Sequence, residues 1–282
     1  MAFSQRVKSD PANVGIAGVD AMPIKKGDFV LANYTLKVKE SGDVVDTTLE
    51  SVAKEKGIHH EHHEHHEHEG TEETDVHRYE PLLVVVGEGW VTQGFDEGLV
   101  GLDTGQSSTI EVPPEKGYGA RDASKVRLVP LRRFRNEGIT PIPGIQVTLD
   151  GKVGQIRTVG AGRVQVDYNH PLAGRTLVYE VSIQSIVEKP EDKIRSLVHK
   201  RLPAVDQAKF GMQLNPNELM IEVPEEAFFL EDLQLAKKAM SADIEKFFPE
   251  FSKVSFLEAY KKPAPPKVEE TKPPEAAEKN KA

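Results

Sequence analysis

The 282-residue sequence contains no cysteine, which excludes disulfide bonds, thiolate metal sites and thiol catalysis. It has no run approaching the roughly 20 apolar residues that a membrane-spanning helix requires, and its first residues lack the apolar core of a secretory signal. The formal charge of -9 disfavours nonspecific binding to nucleic acid, which depends on neutralising phosphates. These absences favour a cytoplasmic protein that binds neither nucleic acid nor membranes.

The stretch from Gly87 to Gly119 predicts a short amphipathic helix, a turn, a strand and a loop with an aromatic tip. Apolar residues at positions i, i+4 and i+7 from Phe95 predict one buried helix face, with Asp96 on the solvent face. Alternation from Ser108 to Val112 predicts a half-buried strand. Tyr118 lies between two glycines that let the loop aim its phenol above the helix. A tyrosine corner without a ligand is the alternative.

Three other segments predict strands of the same sheet. The residues from Lys26 to Val38 alternate and are followed by a turn and a second short strand. The nearly continuous apolar run from Tyr79 to Gly87 predicts a strand in the middle of the sheet. Thr176 to Ile186 alternates again, which indicates that the chain leaves this sheet near Gly119 and later returns to it.

A histidine-rich insertion over residues 58–77 repeats the triplet HHE. Neutral imidazole is the commonest metal ligand in proteins, and the interleaved carboxylates raise the local negative charge. We therefore expect Zn, Ni or Cu to bind to the histidines of the repeat, which are His59, His60, His62, His63, His65, His66 and His68. A solvated low-complexity loop is the alternative. A purification tag fits less well because the run is interior and broken by glutamates.

The composition changes again over residues 121–168, where the last part predicts a meander of three strands joined by glycine turns. A segment this short makes a small core and leaves apolar side chains accessible. The candidates for an accessible apolar face are Leu131, Ile139, Ile142 and Ile145. Ordinary packing of a loop is the alternative for these residues.

A third unit follows over residues 189–260, where the spacing of apolar residues predicts two helices and two strands. A unit of this size leaves sheet edges and apolar surface that a second copy would cover. Residues 1–21 and 261–282 are predicted to be disordered, the latter because the segment is rich in proline and charge.

The order of these elements and the motifs VTQGFDEGLVGL, VPPEKGYG, NHPLAG and LVYEV resemble the FKBP-type peptidyl-prolyl cis-trans isomerases. The resemblance is to the SlyD-like branch with an insert-in-flap domain, and more closely to the long archaeal form with an extra C-terminal domain. It covers Met22 to Glu188 well. It implies an α+β fold, a twisted antiparallel sheet wrapped on one short helix, with an inserted β-rich domain and a small α/β C-terminal domain.

The resemblance also implies the domain boundaries. The isomerase domain is discontinuous and covers residues 22–120 and 169–188, and the insert-in-flap domain covers residues 121–168. Residues 189–260 form the C-terminal domain, for which the resemblance implies dimerisation.

Site residues follow from the resemblance, position by position. The implied catalytic residues are Tyr34, Asp46, Phe95, Tyr118 and Tyr179. The implied substrate-binding residues are Val45, Leu82, Val84, Val91, Thr92, Ala120, His170 and Leu172. Many relatives have an aromatic residue at the position of Leu82, the eukaryotic members commonly have tryptophan at that of Phe95, and phenylalanine is frequent at that of Tyr179. The departures here bear on substrate preference and macrolide affinity. From the residues alone, an ordinary structural hydrogen bond is the alternative for Tyr34 and Asp46.

The function that the resemblance implies is isomerisation of X-Pro bonds in folding proteins, with no cofactor required for catalysis. Its partners would be unfolded or proline-containing polypeptides, and the insert would act as a chaperone. The alternative is a metal-binding holdase or metal-delivery protein in which isomerase activity is dispensable. A purely structural dimer module would depend on the C-terminal unit alone.

Overall fold

The computed structural model describes residues 23–57 and 79–260. It divides into two compact units, the first ending at Lys193 and the second beginning at Ile194. The first unit contains two antiparallel sheets, and the second contains one mixed sheet. None of the helices in these described ranges is long and apolar enough to cross a bilayer.

In the ranges described for it, the first unit alternates strands with three short helices. Its elements are, in chain order, β1 (Phe29–Val38), β2 (Val44–Thr47), α1 (Glu50–Lys56), β3 (Leu82–Val85), α2 (Gln93–Leu99), β4 (Ser107–Val112), β5 (Val126–Pro130), α3 (Leu131–Asn136), β6 (Gln146–Leu149), β7 (Lys152–Gly160), β8 (Arg163–Asp167) and β9 (Leu177–Val187). The larger sheet has the order β2-β1-β9-β4, with β3 also paired to β1. The predicted α+β fold, an antiparallel sheet around one short helix, is confirmed.

The helix α2 lies unusually close to β4 because glycines replace side chains on its inner face. A Cβ atom at Gly94 would lie 2.6 Å from a methyl group of Val112, and one at Gly98 would lie 2.5 Å from a methyl group of Ile110. Phe95, on the same helix, is buried in the core of the sheet. The helix therefore presses this ring into the sheet from a distance that a larger residue at either glycine would not allow.

The strand β3 is not in the middle of the sheet, so that prediction was wrong. Among the described residues β3 pairs with β1 alone, opposite residues 29–32, while β2 pairs with residues 35–37 of the same strand. Leu83, Val84 and Val85 are nevertheless all buried. The apolar run reflects burial of both faces of the strand, which does not require a neighbour on both edges.

The insert forms a sheet of its own with the order β5-β8-β7-β6. The sequence predicted three of these strands and missed β5. Its core is centred on Phe134 of α3, against which Leu131 and Ile139 pack as partly buried residues. Ile142 and Ile145 remain exposed, so two of the four predicted candidates lie on the accessible surface.

The second unit contains the end of one helix, three strands and a long helix. Its elements are α4 (Pro190–Arg201), which begins in the first unit, then β10 (Gly211–Asn215), β11 (Glu218–Val223), α5 (Leu233–Phe247) and β12 (Lys253–Glu258). The strand β11 is antiparallel to β10 and parallel to β12, and α5 makes the crossover that a parallel pair requires. The sequence predicted two strands here and missed β10, in which only Met212 and Leu214 are apolar apart from the first glycine.

Candidate active site

Three aromatic rings from three different elements meet on one face of the larger sheet. Phe95 of α2 stacks on Tyr179 of β9 with ring centroids 4.4 Å apart and an interplanar angle of 18°. Tyr34 of β1 lies 5.9 Å from each of them, tilted by 55°. The strand register explains this meeting, because Tyr34 pairs with Val181 and Tyr179 pairs with Leu36. The two tyrosines are therefore diagonal neighbours on the same face.

The exposure of the side chains rises from this centre outwards. Phe95 is 1% exposed and Tyr179 is 5% exposed. The next ring of residues is apolar, partly buried and packed against the core, and it includes the predicted site residues Tyr34, Val45, Leu82, Val91 and Leu172. The cluster is thus an apolar surface with an aromatic floor and a partly accessible rim.

The phenol of Tyr34 donates a hydrogen bond of 2.5 Å to Oδ2 of Asp46. Asp46 lies on β2 opposite Leu36 of β1, which brings its carboxylate to the same region of the sheet. Burial, together with the neighbouring Asp46 carboxylate, raises the pKa of Tyr34 far above its ordinary value. Tyr34 therefore stays protonated and keeps its donor fixed on the carboxylate.

The hydroxyl groups of Thr92 and Tyr179 lie 3.2 Å apart and share a hydrogen bond. Thr92 is the N-cap residue of α2, but its side chain makes no capping bond to the helix. Its hydroxyl instead links the start of α2 to β9. Burial raises the pKa of Tyr179 to about 12, so this phenol is also neutral at physiological pH.

A second aromatic pair lies in the loops that follow β4 and β8. The rings of Tyr118 and His170 are nearly parallel, with centroids 4.1 Å apart. The amide of Leu172 donates to Nδ1 of His170 at 3.2 Å, which assigns the proton of the neutral imidazole to Nε2. Partial burial lowers the pKa of His170 and raises the pKa of Tyr118. The Tyr118 loop is held to the next loop by the amide of Gly174, which donates to the carbonyl of Gly119 at 2.8 Å.

The predicted site residues fall into distinct settings. Tyr34, Asp46, Phe95, Thr92 and Tyr179 form one connected cluster through the contacts given above, and Tyr118 with His170 forms a second. Val84 lies in the core with no exposed surface, and Ala120 is exposed in the loop after Tyr118. The histidines of the HHE repeat lie outside the described residues. Within residues 23–57 and 79–260, no group of three or more side chains is arranged to hold a metal ion.

Asp96 does not lie on the solvent face of α2 as predicted. Its side chain is 9% exposed, and both carboxylate oxygens lie 2.9 Å from the amide nitrogen of Gly87. The bond ties the loop after β3 to the helix that carries Phe95. Helical periodicity missed it, because the residue turns inward to satisfy a backbone donor that lies outside its own helix.

Comparisons with known proteins agree with this geometry. Residues 127–172 match a family model described as FKBP26, IF domain, and residues 190–261 match one described as FKBP26_C-terminal. The short-type peptidyl-prolyl cis-trans isomerase of Methanocaldococcus jannaschii is 34% identical over 163 residues, which cover 58% of this chain and 94% of that protein.

Two bacterial relatives match over a shorter part of the chain. The SlyD isomerase of Helicobacter pylori is 31% identical over 43% of this chain and 66% of its own length. The FKBP-type 16 kDa isomerase of Escherichia coli is 28% identical over 41% of this chain and 80% of its own length. The chain belongs to the FKBP-type peptidyl-prolyl cis-trans isomerases, and its enzymatic activity is the isomerisation of prolyl peptide bonds.

Proposed function

We propose that the aromatic cluster around Phe95 binds the proline ring of the substrate and catalyses rotation by removing the prolyl amide from water. Rotation is slow because resonance gives the C–N bond partial double-bond character, with a barrier of ~18 to 20 kcal/mol. Water stabilises the planar, charge-separated form, so an apolar site favours the twisted form relative to it. Such a mechanism requires no nucleophile and no cofactor.

The polar groups of the site position the substrate in this proposal. Tyr118 is 39% exposed, and its hydroxyl is the proposed donor to a substrate carbonyl. Tyr34 and Asp46 form a fixed dipole beside Phe95, which suits the polar side of the twisted amide. Because the phenols of Tyr34 and Tyr118 stay protonated at physiological pH, these two tyrosines and Asp46 act through orientation and electrostatics, without proton transfer.

The exposure gradient from Phe95 to the rim carries this proposal, and a charge placed on the rim tests it. Leu82 is partly exposed, so in Leu82→Lys the ammonium group can reach water without disrupting the core. We expect kcat/KM for a tetrapeptide to fall by about tenfold or more, which corresponds to ~1.4 kcal/mol. Val100→Lys is the control, since Val100 is 51% exposed and is the C-cap residue of α2, outside the core cluster that contains Phe95 and the residues packed against it. Equal kcat/KM values for Leu82→Lys and Val100→Lys would reject the proposal that the aromatic cluster around Phe95 binds the proline ring.

A second part of the proposal is that residues 121–168 hold unfolded polypeptides and so raise the local concentration of prolines at the cleft. Support comes from the aliphatic side chains that this sheet leaves in solvent. Leu128, Ile142 and Val153 are 60%, 53% and 61% exposed, and exposed apolar surface of this kind marks interaction sites.

Replacing these three residues by glutamine tests the holding function while leaving the core around Phe134 intact. We expect catalysis on an unfolded protein substrate to slow several-fold, while tetrapeptide turnover stays unchanged. Deleting residues 122–167 should slow catalysis on the unfolded protein even more, again with little change in tetrapeptide turnover. Equal losses on both substrates would count against the idea.

The histidine repeat is proposed to bind a divalent transition metal. Support comes from the sequence, in which seven imidazoles alternate with glutamates over His59 to His68. Titration with zinc, nickel or copper should show binding that disappears when these histidines are replaced by glutamine. An unchanged isotherm would remove the site.

The same repeat supports a second candidate function, a metal-responsive holdase or metal-delivery protein in which isomerisation is dispensable. A protease-coupled tetrapeptide assay with and without zinc or nickel separates the two functions. Rapid turnover that metal leaves unchanged favours the enzyme. Suppressed aggregation that depends on metal and persists in the Leu82→Lys variant favours the holdase.

Residues 189–260 are proposed to form a homodimer. Support comes from the exposed apolar side chains of the second unit, among them Phe229 at 86% and Leu235 at 63%. Sedimentation of the full chain and of a chain ending before Pro190 tests this proposal. A full chain that sediments as a monomer would overturn it.

A further inference from the structure

The insert differs in charge from the rest of the protein. Residues 121–168 contain nine lysines or arginines and four aspartates or glutamates, which gives a formal charge of +5. The whole chain carries -9, so the remainder carries -14. A small sheet of opposite charge to its own protein has an electrostatic preference in partners that the rest of the chain does not share.

Four arginines carry most of the positive charge of the insert that no ion pair neutralises. Arg127, Arg132, Arg135 and Arg163 are exposed, and none of them has an ion-pair partner among residues 23–57 and 79–260. Arg133 differs, because it is neutralised by Glu137 and Asp150.

Three of these arginines, Arg132, Arg135 and Arg163, lie at one end of the insert, which we call the basic end. Arg132 and Arg135 are three residues apart on α3, so they share a helix face. Arg127 lies near the other end of β5, opposite Val166. Arg163 pairs with Pro130, the last residue of β5. The amide of Leu131, the first residue of α3, donates to the carbonyl of Gly162 at 2.9 Å, which fixes the helix beside the start of β8.

An exposed aliphatic side chain lies within the basic end. Leu128 pairs with Gln165 across the two strands, which makes it a diagonal neighbour of Arg163 on the same face of the sheet. Its side chain is 60% exposed. Leu128 and Arg163 lie on the sheet face opposite to Val129 and Val164, against which Phe134 of α3 packs. The basic end thus offers one guanidinium group beside Leu128 and two on the other side of the sheet.

We propose that the basic end makes acidic, aliphatic-rich segments of unfolded polypeptides the preferred clients of the insert. The inference rests on the holding function proposed above and adds its substrate class. Carboxylates of the client pair with the free guanidinium groups, and its aliphatic side chains cover Leu128. The acidic remainder of the chain repels the same segment, which confines its binding to the insert.

The side chains at this end favour a polypeptide over a nucleic acid. Nonspecific binding of single strands combines positive charge with aromatic side chains on which bases stack. In the described insert the exposed large apolar residues are all aliphatic, namely Leu128, Ile142, Ile145, Val153 and Val159. The aromatic Phe134 is buried in the core, and the net charge of the whole chain repels phosphate.

Three synthetic peptides test the inference on the full-length protein. They share one unstructured, aliphatic-rich sequence and differ only in carrying glutamate, glutamine or lysine at the same four positions. We expect the glutamate peptide to bind about tenfold more tightly than the glutamine peptide in low salt, and this preference to shrink in high salt. Fluorescence anisotropy of the labelled peptides measures the dissociation constant of each peptide.

The charge-reversed variant Arg132→Glu with Arg135→Glu changes only the exposed face of α3. It should weaken binding of the glutamate peptide by roughly fivefold or more and leave the glutamine peptide within about twofold. The matched control, Lys189→Glu with Lys238→Glu, makes the same change of charge at exposed positions outside the insert and should leave the preference for glutamate intact. Urea unfolding of each variant verifies that it is folded.

The possible failures are distinguishable. Equal affinity of the natural protein for all three peptides overturns the charge preference while the holding function stands. Binding to none of them overturns the holding function and this inference together. Tighter binding of a single-stranded oligonucleotide than of the glutamate peptide overturns the inference in favour of nucleic acid.

Discussion

His170 lies against Tyr118 with the two rings nearly parallel, so the protonation state of one residue bears on the position of the other. The Nδ1 atom of His170 accepts a hydrogen bond from the amide of Leu172. Protonation turns that acceptor into a donor facing another donor, which breaks the bond. Because Tyr118 is the proposed donor to the substrate carbonyl, the change reaches the site.

The first prediction is therefore a pH dependence. Burial lowers the pKa of His170 below its ordinary value of about 6.5, so the unfolded chain binds this proton more readily than the folded one. The contribution of neutral His170 to the free energy of unfolding is therefore complete above the ordinary pKa. It is lost as the pH falls from about 6.5 towards the lowered pKa. We expect kcat/KM for a tetrapeptide to fall severalfold as the pH falls through the lowered pKa of His170 in the folded protein.

The variant His170→Asn serves as the reference, because an amide oxygen can accept from Leu172 but does not titrate. The difference between the pH profiles of the two proteins removes the contributions of the other histidines. Identical profiles for the natural protein and the variant would show that His170 has no part in the pH dependence.

Individual residues differed in how well the sequence placed them. Strand alternation and the quoted motifs led to Tyr34, Phe95 and Tyr179, which the structure brings into mutual contact. Asp96 was misplaced, and the bond between Thr92 and Tyr179 was not foreseen. Both depend on a hydrogen-bond partner that is distant in sequence, and periodicity within one element carries no information about such partners.

At the scale of elements, the approach of α2 to β4 determines how deeply Phe95 sits in the sheet. Gly98 faces Ile110, whose branched side chain has little rotamer freedom with which to move aside. The second prediction is that Gly98→Ala destabilises the protein. The steric cost is about 1 to 3 kcal/mol, and the better helix propensity of alanine returns at most about 1 kcal/mol.

Urea unfolding measures this loss, and a double-mutant cycle with Ile110→Ala identifies its cause. The substitution at Gly98 should cost less when Ile110 has already been shortened. Gly160→Ala is the control, because Gly160 has a negative or extended φ and a Cβ atom added there would have no other group within 4 Å. Equal losses in both backgrounds would refute a clash with Ile110.

Asp167 joins the two chain segments that connect the insert to the isomerase domain. Its buried carboxylate accepts hydrogen bonds from Arg121 and Arg157 and from the backbone and side-chain amides of Asn169. Burial alone would raise its pKa, but the bonds from Asn169 and the two guanidinium groups together lower it. The stabilisation is therefore present above the ordinary pKa of about 3.9 and is lost as the pH falls towards the lowered one.

The third prediction is that Asp167→Asn lowers the free energy of unfolding by about 1 to 3 kcal/mol at neutral pH. The acid-dependent part of the stability should shrink along with it. Asp122→Asn is the control, since Asp122 is exposed and caps a short turn. A variant that keeps both the neutral stability and the acid sensitivity of the natural protein would show that Asp167 does not hold the junction.

The elements that the sequence missed share a physical cause. The strand β5 contains three exposed residues, one of which is a proline, and β10 has only two apolar side chains after its glycine. The alternation of Met212 and Leu214 in β10 is too short to predict a strand, and β5 shows none that is clear. Pairing with a neighbouring strand, which is a tertiary event, determines that both are strands. The position of β3 at the edge was also beyond a pattern that reports burial without naming neighbours.

At the scale of the whole molecule, the chain divides after Lys193 and is longer than a relative that it matches over nearly that relative's entire length. The short-type isomerase of Methanocaldococcus jannaschii is matched over 94% of its length by 58% of this chain, and the aromatic cluster lies in the first unit. The length of the sequence alone indicated several domains, and the change in charge at the insert is also visible there.

The last prediction follows from this division. A chain ending before Pro190 keeps every residue of the proposed cleft, so its kcat/KM for a tetrapeptide should stay within about twofold of the full chain, a difference of ~0.4 kcal/mol in the activation barrier. Loss of the C-terminal unit should also leave a monomer in sedimentation. A large loss of tetrapeptide turnover, with the shortened chain still folded by urea titration, would show that the second unit contributes to catalysis itself. The full chain carrying Phe229→Ser with Leu235→Ser is the matched control, because it removes exposed apolar surface of that unit and leaves its core in place.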